Sequence, residues 1–184
     1  MSTSTNVSTG KPKIGGAISV APTGTTLPTD ATTALDAAFK NLGYVSEDGL
    51  SETASIDSSE VKAWGGDTVL NNITGTAKSF KYQLLEVLSV DVLKHVFGDS
   101  AVTGDLSTGI SIADSGINTA HMSIVFDMIL NGGVLKRIVV PDCSISDLGE
   151  VSYTDADAVA YEVTVSAVKD ATGQYTHQYI KKSA

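Results

Sequence analysis

Three histidines, His95, His121 and His177, could ligate a metal or carry a proton, and each stands in a different stretch of the chain. None has a second histidine or cysteine at i+2 or i+4, the spacings that set two donors on one face of a strand or helix, so ordinary imidazoles and no metal site are expected. Gly109-Ile110-Ser111-Ile112-Ala113 approaches the G-x-S-x-G turn that presents a nucleophilic serine. It ends in alanine and follows no strong strand, which reads as a polar turn. Thr9-Gly10-Lys11-Pro12 resembles the end of a phosphate loop, but Thr5 stands where the first glycine is needed and Pro12 replaces the hydroxyl. Asp155-Ala156-Asp157 begins like a calcium loop, yet Ala160 and Ser166 occupy the places of the turn glycine and the bidentate glutamate. The single cysteine, Cys143, has no disulfide partner, and Asp142 beside it raises rather than lowers a thiol pKa. With 21 carboxylates, choosing a pair for acid–base work is arbitrary. No catalytic residue and no cofactor is expected.

The elements that would hold any site are β-strands. The 184 residues suit one domain with a real core. Val, Ile and Thr number 19, 12 and 20, and with 17 glycines they favour sheet and turn over helix. Twelve basic residues against 21 acidic ones leave a net charge of −9, which argues against binding nucleic acid by neutralising phosphates. Met1–Lys13 is Ser/Thr-rich, unlike a secretory signal, and no run of 18 apolar residues exists, so a cytoplasmic chain without a membrane span is expected.

Residues 1–13 read as a flexible arm and 14–184 as a single β domain. Ala17–Ala21 is a short strand closed by Pro22 and Gly24. Ala34, Leu35, Ala38, Phe39 and Leu42 fall at helical spacing, with Asp30 or Thr32 as cap and Gly43 as stop, which predicts a first helix. Residues 44–76 alternate short β-like pieces with turns, as an extended hairpin or loop. Phe80, Tyr82 and Leu84 share one face of a half-buried strand, and Ser89 opens a helix that ends at Gly98. Met122–Leu130, Asn131-Gly132-Gly133 and Val134–Val140 form a hairpin. Ala158–Val168 and Gln174–Lys181, joined at Thr172-Gly173, read as a second. Trp64, the only tryptophan, sits before Gly65, Gly66 and Asp67 at the tip of the long polar segment. It is either an anchor into another subunit or a lid folded back on its own core.

Three stretches, Gly15–Asp30, Leu42–Gly49 and Lys62–Gly66, together with Phe80–Glu86 and Leu93–Gly98, resemble the major tail protein, or tail tube protein, of long, non-contractile-tailed bacteriophages and prophages. The resemblance implies two packed antiparallel sheets, as in a β-sandwich or barrel-like fold, with one flanking α-helix and a long extended hairpin loop. It implies a structural virion protein whose copies form hexameric rings stacked along a tape-measure protein, capped by terminator and tip proteins. Double-stranded DNA would pass through without specific binding.

A conduit also accounts for the acidic charge, since a cationic wall would hold a polyanion and an anionic one repels it. Trp64, Gly65, Gly66 and Asp67 are the interface candidates. If Met122, Ile124, Phe126, Met128 and Leu130 face the core, the opposite side carries Asp127, and the 158–168 strand likewise carries Glu162. These two are the candidates for lumen-facing carboxylates, and exposed positions there should accept lysine. The competing reading is a cell-surface or secreted β-sandwich binding module, and the remotest a hydrolase using Ser111 or Cys143.

Overall fold

The computed structural model describes residues 3–116 and 118–182. Residues 1–2 of the expected arm and 183–184 of the expected domain lie outside them. In chain order the strands are β1 (Gly10–Pro12), β2 (Ile18–Pro22), β3 (Lys40–Asn41), β4 (Val45–Lys62) and β5 (Thr68–Leu84). Helix α1 (Val90–Phe97) follows, then β6 (Val102–Thr103), β7 (Ser111–Ile112), β8 (Met122–Leu130), β9 (Val134–Leu148), β10 (Tyr161–Val168) and β11 (His177–Lys182). β6 and β7 pair only with each other; the other nine strands form one antiparallel sheet in the order β3-β2-β8-β9-β10-β5-β4, with β1 also on β8 and β11 also on β9.

That sheet folds over on itself at β9. One edge of β9 carries β8 from Val134 to Cys143; the other edge carries β11 along Val134–Val139 and β10 along Asp142–Leu148. Pro141, which has no N–H to give to a ladder, sits between the two halves. The fold brings Phe80 of β5 to 5.1 Å and Tyr82 to 5.8 Å from the Phe126 ring of β8, although β9 and β10 separate those strands within the sheet. Two layers therefore face each other without closing a barrel, as expected for a mainly β chain of two packed sheets.

Alternation decides what lies between the layers. Phe80, Tyr82 and Leu84 of β5 and Tyr161, Val163 and Val165 of β10 point inward with Ile124 and Phe126 of β8. α1 closes the core with Val92, Leu93 and Val96, and Phe97 meets Tyr161 edge-on at 5.6 Å. It starts at Ser89 and ends at Gly98, whose φ of 101° a side chain would resist, as the sequence predicts. The hairpin turn at 131–133 likewise uses Gly132 and Gly133 at φ 73° and 72°.

The structure corrects three expectations. No helix forms over 34–42; Ala34 and Ala38 are exposed, and the 23–39 segment lies irregularly across the outer face of β8 and β9, burying Pro28 and Ala31. The Asp30 carboxylate does accept the Thr32 and Thr33 N–H groups, as a helix cap would. The carbonyls of Asp30 and Thr33, which a helix would bond internally, instead accept from Arg137 Nη1 at 3.1 and 2.7 Å. Asp36 adds a competing local turn through the Ala38 N–H.

Next, the second hairpin does not exist. β10 runs along β9 from Leu148 to Asp142, and β11 continues in the same direction from Val139 to Val134, so residues 169–176 loop out rather than reverse the chain. The Asp170 side chain holds that loop by accepting from the backbone of Thr172 and Gln174. Last, order begins before Ile14. Gly10–Pro12 pairs with Leu130–Met128, and β1 and β2 thus line one edge of β8 in succession.

His95 of α1 is enclosed in this core, its Nε2 2.8 Å from the Tyr82 hydroxyl and its Nδ1 without a partner among the described residues. Burial pushes its pKa down to about 4 from 6.5. The unfolded chain then binds more protons between those values, so this contribution is complete above pH 6.5 and is lost as pH falls towards 4. Urea unfolding at pH 7 and pH 5 should differ by about 2 kcal/mol from this group. His95→Gln should remove that part of the pH dependence; an unchanged slope in the variant would assign it elsewhere.

Candidate assembly surface

β4 and β5 leave the sandwich as a two-stranded ribbon. Their register runs from Leu50↔Tyr82 to Lys62↔Thr68, and residues 51–74 are exposed throughout. The tip is closed by the Ala63 N–H on the Asp67 carbonyl at 2.8 Å and the Gly66 N–H on the Ala63 carbonyl at 3.0 Å. Gly65 and Gly66 take φ values of 123° and 100°, which explains the glycine pair. Trp64 beside them is fully exposed. The lid reading is thereby excluded within one chain.

A two-stranded ribbon is marginal in water by itself, and this one also carries Ile56, Val61, Val69, Leu70 and Ile73 in the open, with Val61 directly across from Leu70. Polar contacts tie its base to the rest of the fold. The Tyr175 hydroxyl from the 169–176 loop donates to the Thr76 carbonyl, Lys78 pairs with Glu52, and Gln178 of β11 donates to Glu52 at 3.3 Å. The expectation of an extended hairpin is met, but its pieces are two long strands rather than many short ones. The base contacts were not legible in the sequence, because they depend on β11 lying on β9.

Asp127 does not present a free carboxylate. Both of its oxygens are held by Arg137, at 2.6 Å from Nε and 2.8 Å from Nη2, and Lys13 Nζ stands at 3.3 Å. The Arg137 side chain is 1% exposed and that of Asp127 11%. The face assigned to lumen or solvent is a second buried layer, covered by the 23–39 segment, with Val125 and Val139 also inside it. A signal for this pair was present: with Leu130 opposite Val134 across the turn, position 127 falls opposite 137.

Glu162 does lie on an uncovered face of β10, its side chain 37% exposed and its Oε1 2.9 Å from Lys81 Nζ. The remaining candidates for chemistry are scattered. His121 pairs with Asp142 and His177 with Asp170, each at 2.7 Å, and Ser111 lies in the exposed two-residue β7. The Cys143 thiol is buried, and burial followed by the Asp142 charge pushes its pKa far up. Asp155 and Asp157 are in an exposed turn. Among the described residues no three His, Cys, Asp or Glu side chains converge, and no helix is long and apolar enough to cross a membrane.

What the molecule offers for assembly is an open surface: a ribbon with exposed apolar side chains and an aromatic tip, and the outer edge of β4, which carries no strand partner within the described chain. No curated protein matches the sequence. The family model described as phage tail tube protein matches residues 12–184, nearly the whole chain, and the chain belongs to that family.

Proposed function

We propose that copies of this chain join side by side into rings, six to a ring by family resemblance, and that the rings stack into the hollow tail tube through which the phage genome leaves the particle. The observation that carries this reading is the 51–74 ribbon, which is too thin to be stable alone and holds Ile56, Val61, Trp64, Val69, Leu70 and Ile73 in the open, where another copy would cover them. Open strand edges, an aggregation hazard in a monomer, join subunits when the contact is head-to-tail and the rotation closes. Trp64, Gly65, Gly66 and Asp67 form the intersubunit tip. Glu162 stands on the face offered to the lumen, and the net charge of −9 lets a polyanion slide without being held.

A tape-measure protein inside the tube and terminator and tip proteins at its ends are the partners, and assembly takes place in the bacterial cytoplasm before the virion is complete. Negative-stain microscopy of the concentrated protein tests the reading, and hollow tubes are the expected result. Hydrogen exchange over 51–74 should be fast in the monomer and slowed in the tube. A protein that stays monomeric at every concentration, or a ribbon that exchanges equally fast in both states, would overturn it.

A further inference from the structure

A groove of about 430 Å³ opens at one end of the sandwich. Its origin is a register slip: Val45 pairs with Leu84 and Leu50 with Tyr82, so residues 46–49 arch away from β5, with Gly49 at a φ of 70°. The arch faces β1 across the gap. Pro12, Ile18, Val45, Leu50, Phe126 and Met128 line it, an apolar floor with a flexible thioether at one wall. Its rim is charged, with Lys11 on the β1 side and Glu47 and Asp48 on the arch.

The ribbon tip has the matching character. Trp64 is the fully exposed aromatic, Lys62 precedes it and Asp67 follows it. None of Lys11, Glu47, Asp48, Lys62 and Asp67 forms an ion pair among the described residues. The tip cannot reach the groove of its own chain, because the advance from Leu50 to Lys62 carries it roughly 40 Å away along an extended strand.

We propose that the Trp64 indole of one copy seats in the groove between β1 and the 46–49 arch of another copy. Lys62 then meets the Glu47 and Asp48 carboxylates, and Asp67 meets Lys11. The indole gains a desolvated apolar pocket, and the opposite charges set its orientation. The assignment rests on the tube reading and adds the receptor for the ribbon tip.

Trp64 is the only tryptophan, so its emission reports this site alone. On assembly the emission should shift to the blue and acrylamide quenching should fall several-fold. Lys11→Glu and Asp67→Lys, both at exposed positions, should each raise the concentration needed for assembly about tenfold. The double variant should return to within about threefold of the wild type. Circular dichroism confirms that each variant is folded. Tubes in which Trp64 is quenched as in the monomer, or a double variant no better than the singles, would overturn the groove assignment and leave the tube reading standing. A wild-type protein that never assembles would overturn the tube reading itself.

Discussion

Arg137→Ala should lower the unfolding free energy by about 3–5 kcal/mol, a large share of the about 5–15 kcal/mol that holds a typical domain folded. The cost arises because the substitution removes three partners at once. Asp127 is left as a buried carboxylate with only the half-exposed Lys13 nearby, and the carbonyls of Asp30 and Thr33 lose their donor. The 23–39 segment, which has no ladder of its own, should then detach from the outer face of β8 and β9. Chemical denaturation measures the loss, and proteolysis should cut first within 23–39. Asp127→Lys should fare no better, since it sets an ammonium against a guanidinium that is 1% exposed. The buried pairing of Asp127 thus argues against the expectation that position 127 accepts lysine, while Glu162→Lys, on an open face beside Lys81, should leave the fold intact. A loss under 1 kcal/mol for Arg137→Ala would show that water replaces the guanidinium and that the outer layer is not held by this pair.

Trp64→Ala should have the opposite profile, a monomer as stable as the wild type and a severe defect in assembly. Nothing in the folded chain rests on the indole, so the melting temperature should stay within about 2 °C. Truncating a central aromatic at an interface commonly costs about 2 kcal/mol or more, or roughly 30-fold in the concentration needed to assemble. Sedimentation of the variant beside the wild type, with calorimetry of each monomer, separates the two effects. A variant that unfolds would show that the indole supports the monomer as well, and one that assembles at wild-type concentrations would show that the tip is not an anchor.

Local chemistry decides much of this molecule. The period-two alternation in β5, β8 and β10, the glycines at 98, 132 and 133, and the Ser89 start of α1 are conditions on neighbouring residues, and they act wherever the chain goes. So is the polar ribbon with its aromatic tip, whose residues exclude a buried place for most of its length. The absence of ligand spacing among the histidines is equally a property of sequence order.

Contacts between distant segments decide the rest. Ala34–Leu42 has the spacing of a helix, but Arg137, over a hundred residues away, takes with its Nη1 the carbonyls of Asp30 and Thr33, where that helix would begin. β10 and β11 meet at a turn any hairpin could use, yet both find partners along β9, and a strand pairs with whatever edge is open. Asp127 looks solvent-facing because alternation distinguishes two sides of a strand but says nothing about a segment from elsewhere covering the second one. The groove between β1 and the 46–49 arch exists only because two edges distant in sequence approach without pairing. Periodicity describes one strand at a time, whereas the assembly surface is a relation among several, and that relation is set by the fold-over of the sheet at β9.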